Sequence, residues 1–326
     1  MSLPMPPSRR VLVVGATGSI GRAVARAVLR AGHEVVCFVR PGTSRDVLPA
    51  QAELRFGQVT DAQSVARDGF RGERFDAVIS CLASRRGGPA DAWAVEHDAN
   101  LHVLRAAEAA GVSMFVLLSA ICVQKPRLAF QHAKLAFEQA LMRSGLTWSI
   151  VRPTAYFKSL SGQVARVQQG KPFLLVGDGT LTACTPISDD DVAAFLVECL
   201  DNPSRANQVL PVGGPGPALT PRAQGEMLFR LLGQPPRFRR VSPRVFDVIV
   251  GVLGALARVL PPLRDTAEFA RIGRYYATES MLVWDPTAGR YDAEATPQYG
   301  KDTLEAHYQR MLRGEVGDER GAHAVL

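Results

Sequence analysis

The stretch RVLVVGATGSIG (Arg10–Gly21) decides the fold. A short apolar run typical of a β-strand is followed by glycines in the spacing G-x-x-G-x-x-G and by a helical pattern that continues to Ala31. In such a unit the first glycine permits the tight turn, the second removes a Cβ that would block a pyrophosphate, and the third lets the helix pack closely on the sheet. We therefore predict a dinucleotide-binding turn with contacts from Gly15, Thr17, Gly18, Ser19, Ile20 and Gly21.

Apolar strands and helical segments alternate through the first half of the chain. After the first strand come the runs EVVCFV, ELRF, DAVISCL (Asp76–Leu82), MFVLLS (Met114–Ser119) and TWSIV (Thr147–Val151). This rhythm predicts an α/β fold, a doubly wound parallel sheet of the Rossmann type with helices on both faces. We assign 9–156 to the nucleotide-binding domain, 157–315 to a smaller substrate-covering part interleaved with the sheet, and 1–8 and 316–326 to flexible tails.

The end of the second strand indicates which nucleotide is bound. Arg40 stands where an NAD-binding protein usually carries an acidic residue for the ribose 2′-hydroxyl, and a guanidinium there fits the 2′-phosphate of NADPH. Arg22 and Arg45 are close enough in sequence to assist. Asp61 follows the third strand and is expected to accept from the adenine amine, to cap the next helix, or to do both. The remaining predicted cofactor contacts are Cys81, Leu82, Ala83, Ser119, Lys134 and Pro153.

Composition narrows the class of protein. Apolar residues make up 47% and charged residues 21% of the 326 residues, which excludes a disordered chain. The net charge of +7 is dispersed and is not organised as a basic stripe, so we expect no nucleic-acid partner. Five scattered cysteines without a CxxC pair argue against a disulfide framework and against a metal centre. The N-terminus resembles neither a signal nor a transit peptide, so we expect a bacterial cytoplasmic protein.

The segment FQHAK (Phe130–Lys134) begins eleven residues after Ser119. Its position and spacing resemble the short-chain dehydrogenase/reductase superfamily, in which a Tyr-x-x-x-Lys pair follows this strand. The resemblance implies that Lys134 holds the nicotinamide ribose, while Phe130 replaces the tyrosine that protonates a carbonyl oxygen. Two interpretations remain open on these residues. The protein has become a catalytically silent nucleotide sensor, or it reduces a carbon–carbon double bond, where no oxygen needs a proton.

Longer stretches resemble one family within that superfamily, the NADPH-dependent divinyl chlorophyllide a 8-vinyl-reductases. They are CVQKPRLAFQHAKLAFE, SIVRPTAYFKSLSGQV, GDGTLTACTPIS, ARIGRYYATESMLVWDP and ATPQYGKDTL, and the likeness extends over residues 10–315. It implies a divinyl chlorophyllide a or protochlorophyllide a substrate, catalytic roles for Lys134 and Tyr156, and substrate contacts from Phe130, Phe157 and Cys122. The alternatives are an NADP(H)-binding regulator or assembly factor, and an isoflavone-reductase-like reductase of another conjugated alkene.

The segment VFDVIVGVLGALARVL (Val245–Leu260) is apolar but too short and too interrupted to span a bilayer. We interpret it as a buried or lid helix over a flat apolar ligand, with peripheral membrane contact as the alternative. Arg237, Arg239 and Arg240 precede it and are candidates to meet a ligand carboxylate. Ser188 and Thr220 have the sequence context of helix N-caps.

Overall fold

Seven parallel strands form the central sheet in the computed structural model, which describes residues 7–84 and 87–317. The strand order is β3-β2-β1-β4-β5-β6-β8, and the order reverses between β1 and β4. The strands are β1 (Arg10–Val14), β2 (Glu34–Val39), β3 (Glu53–Phe56), β4 (Ala77–Ser80), β5 (Met114–Leu118), β6 (Thr147–Pro153) and β8 (Gln208–Val212). The predicted doubly wound Rossmann sheet is confirmed.

Helices cover both faces of this sheet. They are α1 (Ser19–Arg30), α2 (Ala62–Ser64), α3 (Pro89–Ala92), α4 (Asn100–Ala109), α5 (Ala129–Met142) and α8 (Asp189–Glu198), with π-helical turns at Val65–Phe70 and Trp93–Ala99. Successive side chains of a strand point to opposite faces. Val11 and Val13 therefore enter a core shared with α1 and α8, while Leu12 and Val14 enter a second core with α4 and α5.

The chain beyond residue 156 both completes the sheet and builds a smaller layer. Strand β8 pairs with β6, and α8 packs on α1, so this part is interleaved with the nucleotide-binding half. The smaller layer contains α6 (Phe157–Leu160), α7 (Val164–Gln168), β7 (Phe173–Val176), α9 (Pro221–Leu231), β9 (Phe238–Val241), α10 (Pro243–Val259), α11 (Arg264–Thr278), β10 (Val283–Asp285), β11 (Arg290–Asp292) and α12 (Leu304–Leu312). Strand β7 pairs with β9, and β10 pairs with β11.

Local patterns correctly predict the start of two helices, α8 and α9. Ser188 and Thr220 are N-caps whose side chains accept from the amides of Asp191 and Ala223. Strand β4 is shorter than predicted, because the chain leaves the sheet at Cys81 to enter the cofactor crevice. The predicted tails lie mostly outside the described residues.

The prediction that the segment at 245–260 is buried is wrong. It forms most of α10, and no residue of that helix is buried. The apolar pattern of the segment is typical of a core helix. In the structure, however, α10 packs mainly against α11, and the apolar side chains on its other side are exposed.

Candidate cofactor and active site

The glycine-rich turn between β1 and α1 has the geometry of a phosphate cradle. Gly15 has φ +75°, and a Cβ built there would lie 2.4 Å from the carbonyl oxygen of Cys81 on the neighbouring strand. A Cβ at Gly21 would lie 2.2 Å from the carbonyl oxygen of Gly15. Both positions therefore exclude side chains, and the helix begins directly above the strand. A Cβ at Gly18, in contrast, would make only an ordinary van der Waals contact, 3.6 Å from the carbonyl oxygen of Gly15.

The N-terminus of α1 is left open toward the crevice. Its N-cap residue is Gly18, and no side chain caps the first turn. A helix N-terminus attracts anionic groups because its amide groups and its dipole both present positive charge. Lys158 adds a full charge at this point, since its Nζ contacts Oγ of Ser19 and lies 4.0 Å from Oδ2 of Asp189. The sequence pattern does not predict Lys158, because 139 residues separate it from Ser19.

Lys134 is held in the crevice by a buried carboxylate. Its Nζ lies 2.8 Å from Oε2 of Glu96, and the two side chains are 12% and 3% exposed. The other oxygen of Glu96 accepts from the amide and hydroxyl of Ser84, which follows β4. Oε2 itself receives no hydrogen bond of good geometry, so its contact with the ammonium is an ion pair. Lys134 is thus a largely buried residue.

The π-helical turn Trp93–Ala99 brings Glu96 to this position. π-helical turns are rare and are frequent at functional sites. The same turn packs against α5, which carries Lys134. No periodicity in the sequence marks Glu96 as a partner of Lys134, so this residue is missing from the predicted site.

Ser119 lies at the end of β5, as predicted, but its hydroxyl faces inward. Its Oγ donates to Oε1 of the buried Glu138, which also pairs with Arg152. The side chain of Ser119 therefore belongs to a buried polar network between α5 and β6. Any contact with a cofactor is left to its backbone.

The position of the missing tyrosine is apolar. Phe130 is partly buried and packs against a cluster that contains Ile121, Cys122, Ile272 and Tyr275. Helix α5 thus presents a hydrocarbon ring where the superfamily presents a phenol. Only Lys134 remains of the pair that the resemblance implies.

Two phenols approach the same region from other elements. Tyr156 follows β6, and the hydroxyl of Tyr276 on α11 lies 3.8 Å from Sγ of Cys122. Burial raises the pKa of both phenols well above 10, and the negative charge of Asp189 adds to the effect at Tyr156. Tyr276 as a whole residue is 39% exposed, but its hydroxyl contacts the buried thiol of Cys122. Both groups are therefore neutral donors at physiological pH.

The cysteines near the crevice are protonated thiols. Burial raises the pKa of Cys81 to about 12 and also raises the pKa of Cys122. Cys81 and Leu82 follow the last residue of β4 and are buried beside the glycine-rich turn, and Ala83 is exposed next to them. Among residues 7–84 and 87–317, no group of three or more His, Cys, Asp or Glu side chains is placed to hold a metal ion.

Of the residues predicted at the adenosine end, Arg40 is free to bind a ligand within the described part of the chain, whereas Asp61 and Arg45 already have partners. Arg40 follows β2 with an exposed side chain that forms no ion pair within the described part of the chain. Asp61 caps α2 by accepting from the amide of Gln63. Arg45 donates to the carbonyl oxygens of Ala50 and Ala52, so its guanidinium is occupied by its own loop.

Two further predicted contacts have different surroundings. Pro153 is the last residue of β6 and is buried at the edge of the crevice. Phe157 is 3% exposed, lies in the core of the smaller layer and packs against His307. This packing leaves little of the Phe157 ring for a ligand.

These residues fit a nicotinamide dinucleotide. The open turn between β1 and α1, the cationic Lys158 beside it and the Lys134–Glu96 ion pair all lie at the carboxyl ends of the strands, where the strand order reverses. Ligands of open α/β sheets bind at this point. The fold and the site therefore define a nicotinamide-nucleotide-binding protein of the Rossmann class, and a family of NAD(P)H-binding domains matches residues 15–203.

Curated relatives give a narrower family. The chain is 50% identical to a divinyl chlorophyllide a 8-vinyl-reductase of Oryza sativa subsp. indica, over 98% of this chain and 83% of the relative. It is 46% identical to the enzyme of that name from Arabidopsis thaliana, over 97% of this chain and 80% of the relative. The chain belongs to the family of divinyl chlorophyllide a 8-vinyl-reductases. The photosystem II assembly factor Ycf39 of Synechocystis is 28% identical over 63% of this chain.

Solved structures support the fold. The enzyme WbmG of Bordetella bronchiseptica in complex with NAD covers 97% of both chains with a TM-score of 0.70 and 18% identity. The NADPH-dependent quinone oxidoreductase QOR2 of Escherichia coli in complex with NADPH covers 93% of this chain and 99% of its own, with a TM-score of 0.68 and 18% identity. At this identity the likeness concerns architecture alone.

Proposed function

We propose that this protein reduces the 8-vinyl group of divinyl chlorophyllide a, or of divinyl protochlorophyllide a, to an ethyl group with NADPH. The observation that carries the proposal is the altered pair on α5, in a chain of the 8-vinyl-reductase family. Lys134 is kept and held by Glu96, whereas Phe130 occupies the place of the phenol. The cofactor clamp is thus retained without the group that protonates oxygen.

The reaction explains why a phenol over an oxygen is dispensable. Bound NADPH supplies a hydride to one carbon of the vinyl group, and the chlorin macrocycle accepts the electron pair by conjugation. The proton then goes to carbon, so no alkoxide develops beside α5. Phe130 instead offers an apolar surface to a flat ligand, and apolar cleft walls with few polar groups suit such ligands.

Lys134 acts by position in this proposal. Glu96 fixes the ammonium, and the ammonium donates to the nicotinamide ribose, which orients the hydride-bearing face toward the substrate. Lys158 and the amides of the first turn of α1 bind the pyrophosphate. Arg40 binds the 2′-phosphate, which gives the preference for NADPH.

Protonation is assigned to a phenol or to water. Tyr156 and Tyr276 are both neutral donors, and the hydroxyl of Tyr276 lies 3.8 Å from Sγ of Cys122. Neither group needs to ionise to donate through a hydrogen bond. The exposed Arg237, Arg239 and Arg240 near β9 are available to meet the propionate of the pigment.

The test is a turnover assay of the purified full chain with NADPH and each divinyl pigment in turn, with the products resolved by chromatography. We expect the 8-ethyl product and stoichiometric loss of NADPH absorbance, with little product when NADH replaces NADPH. Conversion of neither pigment, with NADPH nevertheless bound, would contradict the proposal. Reduction of a simple conjugated alkene but of neither pigment would favour the isoflavone-reductase-like alternative.

A second candidate function is that of a silent NADP(H)-binding assembly factor. The likeness to Ycf39 over 63% of the chain favours it, and loss of the α5 phenol is compatible with loss of catalysis. This candidate predicts tight NADPH binding without oxidation of NADPH by either pigment. The same assay therefore separates the two functions.

A further inference from the structure

Helix α10 has two apolar faces, one that is partly covered and one that is exposed. Phe246, Val250, Leu253 and Ala257 are partly covered and follow the spacing of a face that packs on a neighbouring helix, here α11. Arg274 of α11 binds Asp247 across this contact at 2.5 Å. The hairpin of α10 and α11 is thus fixed along one side of α10 only.

The second apolar face has no partner in the described part of the chain. Its side chains are each between 44% and 79% exposed, and they are Val245, Val248, Ile249, Val252, Leu256, Val259 and Leu260. At about 100° per residue, the six that lie within the helix fall in an arc of roughly 100°. They form one continuous stripe, here called the α10 stripe, that faces away from α11.

Unpaired arginines border the α10 stripe. Arg244 and Arg258 lie on α10 itself, and Arg264 begins α11. All are exposed, and none of them forms an ion pair within the described residues. The acidic residue on α10, Asp247, is already neutralised by Arg274. The surface therefore combines exposed hydrocarbon with uncompensated positive charge.

We propose that the α10 stripe docks the protein on an anionic lipid bilayer, with α10 lying in the interface. The apolar side chains enter the boundary between headgroups and acyl chains, and the bordering arginines bind lipid phosphates. None of the described helices is long and apolar enough to cross a membrane, so α10 lies parallel to the surface. This inference concerns a surface and is independent of the proposed reaction.

Charge favours the bilayer over a second copy of the chain. A two-fold contact through the α10 stripe would bring the same arginines of both copies together, and like charges at an interface repel. An anionic bilayer offers the opposite charge. The stripe also faces away from α11, whose Tyr276 points to Cys122, so it is not directed at the crevice.

The test is flotation of the full chain with phosphatidylcholine vesicles that contain or lack phosphatidylglycerol. We expect the protein to float with the anionic vesicles, to float weakly with phosphatidylcholine alone, and to be released by high salt. Val248→Ser combined with Val252→Ser and Val259→Ser should weaken binding at least tenfold, by roughly the transfer cost of three exposed apolar side chains. Arg244→Gln with Arg258→Gln should weaken binding to anionic vesicles about fivefold per arginine.

Met142→Ser is the control, because Met142 is an exposed apolar residue at the end of α5, in the nucleotide-binding half of the chain, and its loss should leave flotation unchanged. Thermal unfolding verifies that each variant folds. Absence of flotation by the unmutated protein would overturn the proposal, as would a triple valine variant that floats normally. If the unmutated protein is a dimer by sedimentation and the triple variant a monomer that floats equally well, the stripe is a contact between copies instead.

Discussion

Phe130 is the residue at which this site departs from the superfamily that it resembles. It packs against an apolar cluster that contains Cys122 and Ile272, so a hydroxyl added there would enter largely apolar surroundings. We predict that Phe130→Tyr does not raise vinyl-reductase kcat and lowers kcat/KM for the pigment, because the phenol introduces a polar group into an apolar wall. Steady-state kinetics measures both constants. A several-fold gain in kcat would contradict this account of the missing phenol.

The exposed Arg40 should determine the choice of cofactor. A charge-assisted contact with a 2′-phosphate is worth roughly 1.5–3 kcal/mol, so Arg40→Ala should weaken NADPH binding about tenfold or more. NADH binding should be unaffected, since NADH lacks that phosphate. Fluorescence titration of both nucleotides measures the two affinities. Equal affinities for NADH and NADPH in the unmutated protein would contradict the assignment.

Lys134 and Glu96 should act as one unit. Lys134→Met removes the ribose contact, and we predict weaker NADPH binding and a lower kcat with an unchanged pH profile. Glu96→Gln keeps Lys134 but loosens its position, so kcat should fall more than NADPH affinity does. Lys171→Met, at an exposed lysine, is the control. Single-turnover kinetics across pH measures these effects, and loss of a basic limb in Lys134→Met would instead assign proton donation to Lys134.

At the scale of elements, Glu279 joins the smaller layer to the loop that precedes α5. It follows α11 and binds Lys125 at 2.7 Å, Arg127 at 3.0 Å and the hydroxyl of Tyr291 on β11 at 2.7 Å. Burial acts to raise the pKa of Glu279, but these hydrogen bonds and charges outweigh it and lower the pKa below the ordinary value. The interaction therefore stabilises the fold above the unfolded pKa of about 4.3 and is lost as pH falls through the folded pKa.

Glu279→Gln should lower the free energy of unfolding by about 3 kcal/mol at neutral pH, because two cations lose their buried partner. The difference from the unmutated protein should shrink as the pH is lowered below about 4. Urea denaturation at several pH values measures it. Glu305→Gln is the control, since its pair with Arg230 is exposed and should contribute less than about 1 kcal/mol. A pH-independent difference would assign the effect to packing rather than to charge.

At the scale of the whole molecule, the two halves of the chain share one sheet. Strand β8 extends the sheet at β6, and α8 covers α1, so residues beyond 156 bury side chains of the nucleotide-binding half. We predict that the full chain unfolds in a single transition. Far-ultraviolet circular dichroism and the fluorescence of Trp148 and Trp284, which lie in different layers, should give coincident midpoints. Two separated midpoints would show that the layers unfold independently.

Regular local patterns in the sequence were sufficient to predict the parallel sheet and the glycine-rich turn. The apolar run before Gly15, the spacing of Gly15 and Gly21, and the side-chain chemistry of N-caps such as Thr220 act over a few residues. The local structure that these patterns produce can therefore be predicted from the sequence without knowledge of the fold. The position of Lys134 relative to Phe130 is also local, because four residues separate them on one helix. The longer stretches that resemble the 8-vinyl-reductases also allowed the reaction to be predicted.

Only the tertiary structure decided what surrounds these residues. Glu96 reaches Lys134, Lys158 reaches Ser19, and Tyr276 reaches Cys122 across 38, 139 and 154 residues. Such contacts depend on how helices and loops are placed at the strand ends, which periodicity does not encode. The apolar pattern of α10 is likewise compatible both with a buried helix and with a helix that has an exposed apolar face. Whether such a face is covered depends on the neighbours that the rest of the chain supplies, and within the described residues α10 packs mainly on α11.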